Sequence, residues 1–257
     1  MNDKIKEKII SITNELKLPG IRKNFEEILT LSLKNNLNYE NLLLELLEKE
    51  LEIKLENRKK NRIRYANFPY KKYLEDLDVL SLPKDAQKKL TLLKSLDFLK
   101  NNHNLILSGN PGTGKTHIAI GLGIKACLEN NKVLFTSVPS LVTKLKETQS
   151  NRTLQKFQNQ FLKYDLIILD ELGYISFDKK GAELLFTNLS LRAGLKSTII
   201  TTNLAFDKWN VLFSDTVLTA ALLDRLTHKA YIINMNGNSY RLKETQEWLK
   251  KTEKSVD

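Results

Sequence analysis

Two groups of residues in this chain have types and spacing suited to chemistry. Gly109-Asn110-Pro111-Gly112-Thr113-Gly114-Lys115-Thr116 matches G-x-x-x-x-G-K-[ST]. Glycines at these positions let backbone N–H groups turn inward around phosphate oxygens. Lys115 then supplies charge to the β- and γ-phosphates, and the Thr116 hydroxyl ligates the Mg²⁺ that accompanies them. A chance match in a chain this long arises in roughly one protein in a hundred, so a plain glycine turn is the weaker reading. His117 follows at once and is counted with the nucleotide-contacting residues, although its chemistry requires nothing beyond helix packing.

The second group is Leu166-Ile-Ile-Leu-Asp170-Glu171, an apolar run ending in two carboxylates. Successive side chains of a regular strand point to opposite faces, so the two acids are expected to have different jobs. Asp170 suits the Mg²⁺ shell, and Glu171 suits a general base that orients the attacking water. A glutamate here favours ATP hydrolysis over phosphoryl transfer to a small acceptor, the reaction of a P-loop kinase.

The elements that must position these groups are legible from periodicity. From Asn104 onward short apolar runs alternate with helical stretches: Asn104–Ser108, Lys132–Ser137, Asp165–Asp170, Ser197–Thr202 and Ala230–Met235 read as strands. That alternation predicts an α/β core of three layers with a five-stranded parallel sheet, and the loop at 109–116 lies between a strand and a helix. Residues 1–66 read as a small all-α domain. Ile5, Ile9, Ile12 and Leu16 recur at helical spacing, Pro19-Gly20 breaks the first helix, and a second runs from Ile21 to Leu33. A third follows Asn38, an N-cap residue, with Leu42, Leu43, Leu46, Leu47, Leu51 and Leu55 in a stripe. The stripe is wide enough to favour packing inside the domain over a coiled-coil seam. Residues 67–100 form a linker with aromatic anchors and a lead-in helix, and 101–257 the ATPase core.

Composition narrows the partners. The 257 residues carry 41 Lys and Arg against 30 Asp and Glu, a formal charge of +11 that favours polyanions. No apolar run approaches a membrane span and the N-terminus lacks a signal-peptide pattern, so the cytoplasm is expected. Cys127 stands alone, which excludes an intramolecular disulfide and a cysteine-cluster zinc site, and its apolar neighbours suggest a buried thiol. Residues 57–72 hold Arg58, Lys59, Lys60, Arg62, Arg64, Lys71 and Lys72 and no acid, with Tyr65, Phe68, Tyr70 and Tyr73 interleaved. Such a cluster either neutralises nucleic-acid phosphates or caps a helix C-terminus and faces water.

With these residues in view, the chain resembles the AAA+ ATPases of the IstB and DnaC branch, and the IstB transposition helpers most of all. The likeness covers nearly the whole length. It rests on 109–119, Leu-Ile-Ile-Leu-Asp-Glu-Leu-Gly-Tyr (166–174), Thr-Thr-Asn (201–203), Ala-Leu-Leu-Asp-Arg-Leu-Thr-His (221–228) and Gly-Asn-Ser-Tyr-Arg-Leu-Lys (237–243), with Leu-Lys-Leu-Pro-Gly (16–20) and Ala-Asn-Phe-Pro (66–69). The resemblance implies that Asn203 senses the γ-phosphate or the attacking water, the alternative being a helix cap. It implies that Arg225 is an arginine finger reaching the ATP of a neighbouring subunit, the alternative being a surface arginine paired with Asp224. Arg241 looks like the second sensor, in cis. Arg192-Ala193 stands where the family has Arg-Tyr, leaving Arg192 as a possible second trans-acting residue. Sixteen residues follow Arg241, so the helical lid is expected to be absent or reduced to one helix. Lys144, Lys146 and Arg152 lie where relatives place DNA-facing loops. The implied function is a homo-oligomer, assembled with ATP on duplex DNA, that delivers the target to a transposase, hydrolysis resetting the assembly. A DnaC-type helicase loader shares the same core.

Overall fold

The computed structural model describes residues 3–174, 176–209 and 216–253. They fall into two compact units that divide between Asn61 and Arg62. No described helix is long and apolar enough to cross a membrane.

The first unit holds α1 (Asp3–Glu15), α2 (Pro19–Lys34) and the greater part of α3 (Tyr39–Tyr65). Helix α2 begins at Pro19, two residues before the expected Ile21, because a proline in the first turn needs no intrahelical N–H bond. The orphan N–H of Ile21 donates to Glu50 Oε2 of α3 at 2.9 Å, and the buried Glu50 also meets Lys54 at 3.4 Å. Gly20 permits this contact: a Cβ there would fall 2.6 Å from the Glu50 Cα. Asn38 caps α3 as expected, its Oδ1 accepting from the Asn41 N–H at 2.9 Å.

The leucine stripe does not pack inside the unit. Leu43, Leu47 and Leu51 are 58%, 52% and 56% exposed, Leu55 is exposed as well, and Leu42 and Leu46 are half-buried. The choice of face explains the miss. Leu42, Leu46, Lys49, Glu50 and Ile53 are half-buried or buried positions of this stretch of α3, a stripe at helical spacing that leaves Leu43, Leu47, Leu51 and Leu55 on the outer side.

The second unit is the P-loop AAA+ core. Its strands are β1 (Asn104–Ser108), β2 (Val133–Ser137), β3 (Leu166–Leu172), β4 (Ser197–Thr202) and β5 (Ala230–Asn234), all parallel in the order β2-β3-β4-β1-β5. Between them run α6 (Lys115–Leu128), α7 (Val138–Ser150), α8 (Leu154–Phe161), α9 (Lys179–Ser190) and α10 (Thr216–Thr227). Helices α4 (Lys84–Lys94) and α5 (Asp97–Lys100) precede β1, and α11 (Tyr240–Glu253) follows β5. That last helix is the whole of the described lid. Strand side chains alternate between two cores: Leu105, Leu107, Leu166 and Ile168 point to one face, Ile106, Ile167 and Leu169 to the other. Burial on both faces is why these strands read as continuous apolar runs.

Both sheet edges are covered. At β2 the Ala66 carbonyl accepts from the Phe135 N–H at 2.7 Å, and the Phe68 and Phe135 rings lie 6.1 Å apart. At β5 Asp85 of α4 accepts from the Asn234 N–H at 2.8 Å, and Lys89 donates to the Ile232 carbonyl at 3.0 Å. Of the linker aromatics Phe68 is thus an anchor, while Tyr65, Tyr70 and Tyr73 stay exposed.

Arg192 is corrected from a possible trans-acting residue to a strut of the core. It is 1% exposed, and its guanidinium donates to the carbonyls of Phe161 (2.9 Å), Tyr164 (3.0 Å) and Ser197 (3.1 Å). Burial pulls its pKa down to about 10, against the opposing pull of Asp165. A side chain so enclosed reaches no neighbouring molecule. Cys127 is buried, which pushes its thiol up to about 12 and leaves it inert.

Candidate functional site

The carboxyl ends of β1, β3 and β4 converge on a cleft of about 270 Å³, where open α/β sheets place their ligands. Residues 111–117 of the glycine loop form one wall. Gly112 and Gly114 have φ of +76° and +91°, a left-handed region that favours glycine, and this turns the loop toward the N-terminus of α6. Lys115 is buried and donates to the carbonyls of Gly109 at 2.7 Å and Asn110 at 2.6 Å. Burial lowers its pKa to about 8, with Asp170 opposing and Arg241 assisting that shift.

Thr116 Oγ1 donates to Asp170 Oδ1 at 3.0 Å. The hydroxyl and carboxylate expected to hold Mg²⁺ are therefore adjacent. Among the described residues no cluster of three or more His, Cys, Asp or Glu forms a metal site. One hydroxyl and one carboxylate, completed by phosphate oxygens and water, is a donor set that fits Mg²⁺.

The two acids sit differently from the regular-strand expectation. Leu169 pairs with Ile200 and Leu172 with Thr202, so Asp170 and Glu171 together face Thr201 alone. This is a β-bulge, uncommon between parallel strands, and it re-aims a side chain. Glu171 has φ +64°, a conformation that costs a non-glycine residue on the order of 1–3 kcal/mol, and it lines the cleft. Its N–H donates to Thr201 Oγ1 at 3.1 Å, while the Thr201 hydroxyl donates to Asp170 Oδ1 at 2.5 Å. The acids still differ in their surroundings, because Asp170 is 7% exposed and Glu171 faces solvent.

The C-terminal motif supplies another wall. Tyr240 N–H donates to the Gly112 carbonyl at 2.9 Å and Asn110 Nδ2 to the Gly237 carbonyl at 3.4 Å. This docking sets Arg241, in the first turn of α11, on the cleft lining. Residues read from sequence as linker contribute too: Tyr70, Ser81 and Leu82 line the same cleft. The Tyr70 side chain is exposed overall, but partial burial of its hydroxyl end raises that group's pKa; Asp170 and Glu171 add to the shift and Arg241 opposes it. Nothing in the spacing of Tyr70 signalled this position; only the fold brings it there. His117 lines the cleft and its Nε2 meets the Tyr73 carbonyl at 2.9 Å, fixing the linker to α6.

Asn203 is not on the cleft lining, which at the end of β4 is made by Thr201 and Thr202. Its Oδ1 is buried against Gly173 and, among the described residues, has no hydrogen-bond partner. The alternative role as a helix cap does not hold, since the following 3₁₀ turn (Phe206–Lys208) is preceded by Ala205 with no side-chain cap. Arg225 lies outside the cleft, exposed on α10 over the Phe186 ring at 4.9 Å, and among the described residues it forms no ion pair with Asp224. Neighbours in a helix point different ways, so that pairing was never favoured.

The basic residues are dispersed. Arg58, Lys59 and Lys60 are exposed on α3 in the first unit, with Lys60 3.4 Å from Glu56. Arg62 is half-buried and Arg64 lies over Tyr65 at 4.8 Å, both in the last turn of α3, where cations offset the helix dipole. Lys144 pairs with Glu147 at 3.3 Å and Lys146 with Asp178 at 2.5 Å, while Arg152 is exposed just beyond α7. Exposed ion pairs are weak and contribute little each.

Comparison with known proteins matches this geometry. The family model for IstB-like ATP binding protein matches residues 11–248. The chain is 32% identical to a protein assigned as the insertion sequence IS5376 ATP-binding protein of Geobacillus stearothermophilus, over 93% of this chain and 96% of that one. It is 35% identical to the counterpart assigned to insertion sequence IS21 in Pseudomonas aeruginosa, over 91% of this chain and 88% of that one. Among solved structures, DnaI superposes with a TM-score of 0.53 over 70% of this chain and 92% of its own, at 23% identity. AMPPCP-bound DnaA from Aquifex aeolicus gives 0.55 over 73% of this chain and 56% of its own, at 19% identity. At those identities the structural likeness concerns the fold alone. The chain belongs to the IstB-like ATP-binding protein family.

Proposed function

We propose that the chain is an ATPase of insertion-sequence transposition. It assembles with ATP into a homo-oligomer on duplex DNA in the cytoplasm, delivers that target to the transposase, and resets by hydrolysis. The observation that carries the reading is the joint presence of Lys115, Thr116, Asp170 and Glu171 around one cleft, with Arg225 exposed outside it.

The residues divide the work by position. Loop N–H groups and Lys115 hold the β- and γ-phosphates. Thr116 and Asp170 would hold Mg²⁺, which when bound with the nucleotide neutralises phosphate charge. Glu171 accepts the proton of the attacking water, and Arg241 meets charge developing on the phosphoryl oxygens in cis. Asn203, whose buried Oδ1 has no partner among the described residues, is suited to orient that water after a small local shift. Arg225 would complete the site of the next subunit, so hydrolysis requires assembly. Arg58, Lys59, Lys60, Arg62, Arg64, Lys144, Lys146 and Arg152 are the cations offered to DNA phosphates.

The deciding experiment is steady-state ATP hydrolysis with and without duplex DNA, at low and high salt, for the native chain, Glu171→Gln and Arg225→Ala. DNA stimulation that fades with salt and disappears in both variants is expected. Hydrolysis indifferent to DNA, or untouched by Arg225→Ala, would refute assembly on DNA. A native chain that binds ATP without cleaving it would refute the ATPase.

A further inference from the structure

Glu171 reaches the cleft only because β3 is bulged. On an unbulged strand Asp170 and Glu171 would point to opposite faces, and one of them would be lost to the site. The bulge leaves two costs. Glu171 must hold φ +64°, and its N–H loses a regular place in the β3–β4 ladder. A single side chain meets the second cost and constrains the first. Thr201 Oγ1 accepts the Glu171 N–H at 3.1 Å and donates its own proton to Asp170 Oδ1 at 2.5 Å. The threonine is 2% exposed, which fixes its rotamer among packed neighbours. Asp170 is in turn bonded to Thr116 at 3.0 Å, so one chain of hydrogen bonds links the phosphate loop, the magnesium-holding acid and the backbone of the proposed base.

A hydroxyl can donate to a carboxylate and accept from a peptide N–H through one and the same atom. Valine has the same shape and can do neither. We propose that Thr201 is a positioning residue for hydrolysis: its hydroxyl latches the β3 bulge and so keeps Glu171 in the cleft beside Asp170. The inference rests on the role of Glu171 given above. It adds a residue that touches both acids, and its hydroxyl acts on the water-activating step through Glu171 rather than on the nucleotide.

The test uses the full chain with Thr201→Val and Thr201→Ser, measuring ATP affinity with a fluorescent ATP analogue, kcat under assembly conditions, and the crystal structure of the valine variant. Loss of a positioned general base typically costs a factor of 10² to 10⁴, so Thr201→Val is expected to lower kcat by about tenfold or more while leaving ATP affinity within about threefold. Thr201→Ser should recover kcat to within about threefold, a rescue that a merely space-filling threonine would not show. In the valine structure Glu171 should return to extended backbone with its carboxylate out of the cleft. Native kcat in Thr201→Val, a serine variant as slow as the valine one, or a valine structure with Glu171 still at positive φ in the cleft would each overturn the latch. If the native chain binds ATP and never hydrolyses it, the proposed function fails, and the crystallographic result alone still decides the latch.

Discussion

The two units of this chain handle their apolar residues in opposite ways. In the nucleotide unit β1, β3 and β4 bury every core-facing side chain, and Leu105, Leu107, Ile118, Ile168 and Ile199 are fully enclosed. Among the described residues before Arg62, Phe25 is the one buried apolar side chain, while Leu43, Leu47 and Leu51 face outward. Charge divides them as well. The first 61 residues hold twelve Lys and Arg against eleven Asp and Glu, so the basic excess of the chain belongs almost wholly to the nucleotide unit. The contrast separates two sources of order. One unit is held by a two-faced core, the other by Phe25 with half-buried Ile and Leu side chains, the Asn38 cap and the buried Glu50, which enclose far less apolar surface per residue.

The largest expected effect tests the core. Ile168, 0% exposed at the centre of β3, packs in the cluster with Leu105, Leu107 and Ile199. Ile168→Ala should cost about 2–5 kcal/mol, read as a fall in the denaturant midpoint of the nucleotide unit. A cost near zero would mean that this core is no tighter than the first unit.

Next comes a pH effect confined to the nucleotide unit. Burial sets the Lys115 pKa at about 8 in the folded chain, below its ordinary 10.5. Between those values the unfolded chain binds more protons, so stability should rise with pH from about 8 to about 10.5. Phosphate charge restores the proton, and ATP binding at pH 9 should take up a proton, on the order of one per site, that is not taken up at pH 7. Calorimetric titration in two buffers of different ionisation enthalpy measures this uptake, and Lys115→Arg should abolish it.

A third effect belongs to the first unit. Glu50→Ala strips the Ile21 N–H of its acceptor and leaves a void against Gly20, which should cost about 1–2 kcal/mol. Loss of helical signal with ATP affinity unchanged would confirm that the cost falls on the N-terminal helices. If Glu50→Ala is silent, the first unit is held by something other than this link.

What the sequence disclosed follows the same division. The phosphate loop, the five strands and the Asn38 cap were legible because each is a local pattern with a local cause: glycine geometry, burial on both faces, an orphan N–H. The features that escaped are made by pairs distant in sequence. Nothing near Glu171 marks a bulge, because the hydroxyl that completes it belongs to Thr201, thirty residues on. Arg192 read from the sequence as a possible second trans-acting residue, and only the fold closes the carbonyls of Phe161 and Tyr164 around it. Tyr70 resembled a stacking or anchoring ring and turned out to line the cleft. The leucine stripe exposed a further limit, since periodicity tells which face of a helix is apolar and leaves open what covers it.

The smallest expected effect bears on that stripe. Leu47 is 52% exposed on α3, so a polar replacement removes little buried area and leaves no cavity. Leu47→Ser should therefore change stability by less than about 0.5 kcal/mol plus the modest helix-propensity penalty of serine, well below the Ile168→Ala cost. The measurement is the same denaturant titration, run at two protein concentrations. A small, concentration-independent change would establish that the stripe contributes almost nothing to folding of a single chain. A loss of several kcal/mol that deepens on dilution would mean that the face is covered in solution, and the contrast between the units would then be a property of the isolated chain rather than of its assembled state.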